Sequence, residues 1–261
     1  MVKPVIVRIA ANIATVLLNK PQAFNAFDLE LMDCLAQHLI GLAADRNIRA
    51  VVISGEGKAF CAGGDLKYVL SFEQGPSAAF HELAARFHQA VLEIRRMSKP
   101  VIAAINGPAA GGGFSLALAC DFRVMAESTF LLQAYTSSGL SIDGGGSFML
   151  PRLVGLGRAL EILAFDRPIS SEQAMAWGLV TRVVKDEDVI EEATEMAREL
   201  TRGSPASFGW SKRLLTDSFD SSFETHIERE RTGISACAET PEGTEGLRAF
   251  VEKRKPVFTS R

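Results

Sequence analysis

KPVIAAINGPAAGGGFSLALACDFRVMAE, residues 99–127, carries most of the architecture in one stretch. The apolar run closing at Ile105 reads as a buried strand, and GPAAGGG reads as a loop that bulky side chains would obstruct. A helix of small residues follows over Phe114 to Ala119, and DFRVMA then reads as another strand. Upstream, RAVVIS (49–54) is followed by GEGKAFCAGGDL (55–66), so the unit of strand, glycine loop and helix start occurs twice. Strands alternating with helices predict a layered α/β fold.

Working outward, Val5 to Ile9 and Ile13 to Leu18 flank Ala11-Asn12 and predict a hairpin. Leu31, Leu35, Leu39 and Leu42 recur at helical spacing behind Asp28, a residue type suited to capping a helix N-terminus. A further helix is predicted from Ser77 to about Met97. After Gly155 the pattern turns mostly helical: GRALEILAF, then a capping box made by Ser170 and Gln173, a short strand TRVV, a helix over Asp186 to Arg202, and a helical tail from Ser204. Residues 1–200 are therefore expected to form the core domain with the functional site, and residues 201–261 a helical C-terminal region.

The chain has 261 residues, 47% hydrophobic and 23% charged, enough apolar material for a sizeable core and too much for disorder. Its formal net charge of -3, with lysines and arginines dispersed, offers no basic stripe for a nucleic-acid backbone. Cys34, Cys61, Cys120 and Cys237 lie far apart with no C-x-x-C pair, which suits buried thiols in a reducing compartment and predicts no metal site. The N-terminus enters an alternating pattern at once, and no run of eighteen apolar residues follows. A soluble, cytoplasmic protein without membrane partners is expected.

The glycine loops are where chemistry is anticipated. GEGKAF lacks the third glycine of a dinucleotide fingerprint, and no phosphate-binding G-x-x-x-x-G-K-[ST] occurs. What remains is CAGGDL and GPAAGGGFSL, each between a strand and a helix start. Glycine lets the main chain approach a ligand closely, and the opening turn of a helix presents unpaired N–H groups of partial positive charge. Two such amides converging on one oxygen make an oxyanion hole, although either loop alone reads equally well as a tight turn.

Rival nucleophiles fare worse. Cys61 has no histidine in a local signature with it, among His38, His81, His88 and His226, so packing in a core or loop is expected. His81 and His88 are placed to share a helix face, a solvated stripe rather than a metal site. GFSLA resembles the nucleophile elbow of serine hydrolases, with Ser115 as nucleophile and His226 as base. An elbow needs its serine directly at the strand-to-helix turn, whereas residues 106–114 separate Ser115 from the strand ending at Ile105.

KPQAFNAF (20–27), GEGKAFCAGGDL, the 99–127 stretch, GLSIDGGGSFMLPRLVG (139–155) and the closing KRKPVF (253–258), in that order, resemble the crotonase, or enoyl-CoA hydratase/isomerase, superfamily. The resemblance spans nearly the whole chain and is greatest with the branch of ring-1,2-epoxyphenylacetyl-CoA and enoyl-CoA isomerases. It implies a crotonase-like spiral of repeated ββα units, C-terminal helices used in trimer formation, and homo-oligomers that are trimers or dimers of trimers. It also implies an acyl-CoA substrate, with coenzyme A entering as part of the thioester and no separate cofactor.

Carried over by position, the resemblance makes the N–H groups of Gly64 and Gly112 the donors to the thioester oxygen. Ala23, Phe24, Ala62, Gly63, Asp65, Leu66, Gly111, Ser115, Tyr135 and Leu140 would line the substrate, with Asp65 also capping the following helix. Phe258 would reach a neighbouring subunit's site, and loops such as 67–76 would shape the acyl pocket. Hydratases of the family carry two glutamates at stations where this chain has Ser115 and Tyr135. Asp143, flanked by Leu140 and Ile142, instead stands where the isomerases carry their catalytic aspartate.

Isomerisation of the acyl double bond with Asp143 as proton shuttle is thus expected; the alternatives are hydration and a non-catalytic acyl-CoA-binding protein. The related 4-chlorobenzoyl-CoA dehalogenases use an aspartate at the same station as nucleophile, but with tryptophan in place of Tyr135.

Overall fold

The computed structural model of the chain describes residues 3–258. β1 (Val5–Ala10) and β2 (Ile13–Leu18) form the expected hairpin, turning through Ala11 and Asn12 with φ of 46° and 68°. Positive φ at both central residues matches the twist of two-residue hairpins. α1 (Leu29–Ala44) is capped by Asp28, whose carboxylate accepts from the Leu31 N–H, and buries Leu31, Leu35, Leu39 and Leu42. β3 (Ala50–Gly55), α2 (Leu66–Ser71), α3 (Pro76–Arg96), β4 (Val101–Ile105), β5 (Ala109–Ala110), α4 (Gly112–Ala119), β6 (Phe122–Ala126) and β7 (Phe130–Leu132) follow. Next come α5 (Gly146–Phe165), β8 (Ile169–Ser170), α6 (Ser171–Ala176), β9 (Arg182–Val184) and α7 (Val189–Leu200). α8 (Pro205–Asp217), α9 (Phe223–Ala238) and α10 (Pro241–Val251) form the helical tail.

The main sheet has the order β1-β2-β3-β4-β6-β9, antiparallel at β1-β2 and parallel elsewhere. Parallel strands are stable where both faces are covered, so they read as continuous apolar runs. Here Val51, Ile53, Val101, Ala103 and Ile105 meet the helical layer containing α1 and α3. Alternate residues Ala50, Val52, Ile102 and Ala104 meet Val189, Ala193, Met196 and Ala197 of α7. A second, small sheet joins β5, β7 and β8.

Three departures from the sequence expectations concern glycine and brevity. α4 starts at Gly112, before Phe114, because Gly113 must sit against the Cys61 backbone, where a Cβ would lie 2.2 Å from the carbonyl oxygen. α5 starts at Gly146 and continues past Pro151, departing from helical geometry at Gly155 (φ 76°, ψ 158°). Its glycine-rich beginning masks it, since glycine is a poor helix former. β5, β7 and β8 are too short to show alternation.

The tail is tied to the core through a buried ion pair. Lys212 of α8 donates to Asp121 at 2.7 Å and to the Ile94 carbonyl at 2.7 Å, while Asp121 accepts from the Val101 N–H at 2.9 Å. Further out, α9 and α10 leave Phe223, Ile234 and Phe250 largely exposed.

Candidate active site

The two glycine loops leave the C-terminal ends of neighbouring strands β3 and β4 and lie side by side. Their backbones interlock: Cys61 N–H donates to Pro108 (3.2 Å), and Ala110 N–H donates to Cys61 (2.9 Å). Gly63, at φ 91°, makes the approach possible, because a Cβ there would lie 2.9 Å from both the Ala110 oxygen and the Gly112 nitrogen. On the other side residues 24–27 pair with residues 62–65: Ala62 N–H donates to Phe24, Phe27 N–H to Gly63, and Asp65 N–H to Phe27. Asn25 holds this arrangement from beneath, its buried amide Nδ2 reaching the carbonyls of Glu56 (3.0 Å) and Ala59 (2.9 Å). Asp65 caps α2 as expected, accepting from Lys67 and Tyr68.

Among the described residues the N–H groups of Gly64 and Gly112 have no acceptor within the protein. Both glycines line one cavity of about 40 Å³, together with Phe27, Met32, Phe80, Leu83, Ala84, Phe87, Tyr135 and Asp143. Asp143 is the one carboxylate on that wall.

Behind the wall stands a buried chain of hydroxyls. Tyr135 Oη donates to Asp143 Oδ1 at 2.5 Å, and Ser115 Oγ lies 3.1 Å from the same Oη. Burial, the adjacent Asp143 charge and the bond to it push the Tyr135 phenol far above its ordinary range, which keeps it a donor. The Gly144 N–H donates to His88 Nε2 at 3.3 Å, fixing the turn that carries Asp143.

Gly64, Gly112, Tyr135 and Asp143 are thus brought together, with Gly63 and Gly111 in the abutting loops. Phe24, Ala62 and Leu66 form an exposed rim next to them, and Ala23 precedes that rim in a short 3-10 turn. Ser115 is not on the cavity wall; it is fully buried in α4 and reaches the acid only through Tyr135. Leu140 does not line the cavity either, its N–H being spent on the Tyr135 carbonyl. Within the single chain Phe258 lies far off, at the N-terminal end of β3, where its carbonyl accepts from Arg49.

Half of the expected pocket loop 67–76 belongs to α2, and α3 supplies the wall instead. Phe80, Leu83, Ala84 and Phe87 sit at helical spacing, a visible apolar face, but periodicity alone does not say what that face meets. His88 and Asn25 had no local sequence signal.

Both hydrolase-like alternatives lose their partners. The Cys61 thiol is fully buried, between the Asn25 carbonyl and the Gly63 N–H, and burial pushes it up to about 12. His226 sits in α9 beside Ser221 and Glu230 rather than beside Ser115. A groove of about 730 Å³ lies at the opposite end of the strands, bordered by Arg49, Pro100 and the tail helices.

Residues 8–261 match the sequence model of the family described as enoyl-CoA hydratase/isomerase. The chain is 32% identical to the 1,2-epoxyphenylacetyl-CoA isomerase of Escherichia coli (strain K12), over 100% of both chains. It is 34% identical to the 4-chlorobenzoyl coenzyme A dehalogenase-2 of an Arthrobacter species, over 92% of this chain and 88% of that one. The fold superposes on the crystal structure of an enoyl-CoA hydratase from Polaromonas sp. JS666 with a TM-score of 0.92 at 33% identity, covering 98% of this chain and 99% of that one. Paired glycine loops, a matching architecture and relatives of full length agree: the chain belongs to the enoyl-CoA hydratase/isomerase, or crotonase, family of enzymes.

Proposed function

We propose that the protein moves the double bond of an acyl-CoA thioester, holding the thioester carbonyl oxygen between the Gly64 and Gly112 N–H groups and using Asp143 as its proton carrier. The observation that carries this reading is the cavity wall, to which both glycines with unpaired N–H groups contribute together with a single carboxylate. Asp143 takes a proton from carbon 2 of a 3-enoyl-CoA. The electrons of the broken C–H bond pass into the carbonyl, and the oxygen gains negative charge. Two fixed N–H groups bind that charge more strongly than the ground-state oxygen, so they lower the barrier rather than merely tighten binding. The protonated acid then delivers the proton to carbon 4, the electrons return, and the double bond lies between carbons 2 and 3 with the carboxylate regenerated. The balance closes with coenzyme A entering only as part of the substrate.

A single carboxylate favours this over hydration, which needs water oriented and activated from outside the acyl chain. The name of the full-length isomerase relative supports the same choice. We further infer a homo-oligomer, a trimer or dimer of trimers, built through the C-terminal helices; the exposed Phe223, Ile234 and Phe250 support it.

The test is turnover of 3-enoyl-CoA, 2-enoyl-CoA and an epoxidised aryl-CoA, read by mass and ultraviolet absorbance. The expected product has the substrate's mass and a shifted double bond, and Asp143→Asn lowers its rate by roughly 10²–10⁴-fold with acyl-CoA affinity retained. Dominant water addition would replace isomerase by hydratase. Binding without turnover of any of the three would make the protein an acyl-CoA carrier.

A further inference from the structure

We propose that Tyr135 is a positioning residue for the base: its hydroxyl, fed by Ser115, holds Asp143 Oδ1 so that Oδ2 alone is presented to the substrate carbon. This rests on the reading of Asp143 as proton carrier and adds the device that aims it.

Direction of donation follows from chemistry. A carboxylate only accepts, so Tyr135 donates to Asp143 across 2.5 Å. The phenol oxygen is then left as an acceptor, and Ser115 Oγ, 3.1 Å away, donates into it. Ser115 is fully buried and Tyr135 is 8% exposed, so both hydroxyls are largely shielded from bulk solvent. Hydrogen bonds in such a chain polarise one another, and the charge at its end strengthens each link.

The backbone is arranged to keep the phenol there. Ala134, just before it, is held at φ 54°, a conformation unfavourable for a side-chain-bearing residue. Asp166 secures that turn by accepting from Ala134 N–H (2.7 Å) and Ser137 N–H (2.9 Å). The acid's own turn is secured independently, by Gly146 N–H to the Asp143 carbonyl (3.0 Å) and Gly144 N–H to His88. Two separately anchored turns therefore meet at one hydrogen bond.

A one-base shuttle needs this. The side chains sharing the cavity with Asp143, namely Phe27, Met32, Phe80, Leu83, Ala84 and Phe87, carry no charge. A carboxylate there is free to rotate about its terminal torsion unless one oxygen is tied. The titratable groups facing it are Tyr135 from its own side of the cavity and His88 from α3.

Tyr135→Phe and Ser115→Ala test the proposal, with two readouts. The first is the orientation of the Asp143 carboxylate in crystal structures of the unliganded wild-type and variant proteins. The second is kcat and KM for the acyl-CoA that the wild-type enzyme turns over. Tyr135→Phe is expected to leave the Asp143 carboxylate rotated or in more than one orientation and to lower kcat roughly 10- to 100-fold with KM within about threefold. Ser115→Ala moves both in the same direction by less. An Asp143 carboxylate that keeps its single wild-type orientation in Tyr135→Phe overturns the proposal whatever happens to kcat, and a rotated carboxylate with unchanged kcat overturns its positioning role. The structural arm needs no turnover, so loss of the isomerase reading, seen as D143N keeping full activity, is distinguished from loss of this one.

Discussion

Replacing Gly63 by alanine is the sharpest perturbation of the paired loops. Its Cβ would lie 2.9 Å from the Ala110 oxygen, 2.9 Å from the Gly112 nitrogen and 3.3 Å from the Gly111 Cα, all main-chain atoms that cannot rotate away. Ordinary contact begins near 3.4 Å, so the loops must part by roughly half an ångström. The φ of 91° adds backbone strain. Overpacking of about 1–3 kcal/mol and about 1–2 kcal/mol for the unfavourable dihedral predict a stability loss of about 2–5 kcal/mol. If the two amides share the thioester oxygen as proposed, the same movement takes one of them off it, a loss of about 2.7–4 kcal/mol in barrier, or 10²–10³-fold in kcat. Urea denaturation and single-substrate kinetics on the folded fraction measure the two effects separately. Gly64→Ala is the stability control, because its Cβ meets only Phe80 Cε1 at 3.9 Å and should leave the denaturation midpoint near wild type. Wild-type kcat per folded Gly63→Ala molecule would refute the reasoning that this glycine sets the spacing of the amides.

Two further substitutions probe the supports of the site. Gly144→Ala places a Cβ 2.1 Å from Phe87 Cε1 at a φ of 60°, so either the Phe87 ring on the cavity wall or the turn bearing Asp143 must shift; kcat should fall about 100-fold or more, with a wild-type rate counting against the anchored turn. Lys212→Ala leaves Asp121 buried without its cation and should cost about 3–5 kcal/mol in chemical denaturation at fixed protein concentration, whereas a change below 1 kcal/mol would mean that α8 is held by packing alone.

Much of the fold was legible because its signals are local. Leu31, Leu35, Leu39 and Leu42 announce α1, the uninterrupted VIAAI announces a strand covered on both faces, and Ser170 with Gln173 form the capping box the spacing predicts. The beginnings of α4 and α5 were hidden because glycine there serves close approach rather than helix formation. Of the site, the residues by themselves made legible the backbone part, two glycine loops that could be paired since each followed a strand, while Asp143 and Tyr135 entered through the family resemblance. Ser115 and Tyr135 were singled out as substrate contacts, but nothing in their spacing places one hydroxyl behind the other. His88 was invisible because its partner, the Gly144 N–H, lies 56 residues away and any residue supplies an N–H. The α3 wall shows a similar limit, for an amphipathic face names its polarity and not its neighbour.

The most direct measurement is a crystal structure of Asp143→Asn with a 3-enoyl-CoA bound. The thioester oxygen should lie about 2.7–3.1 Å from both the Gly64 and Gly112 nitrogens, with the side chain at position 143 facing carbon 2. A thioester oxygen that touches neither nitrogen, or a carbon 2 turned away from position 143, would contradict the account.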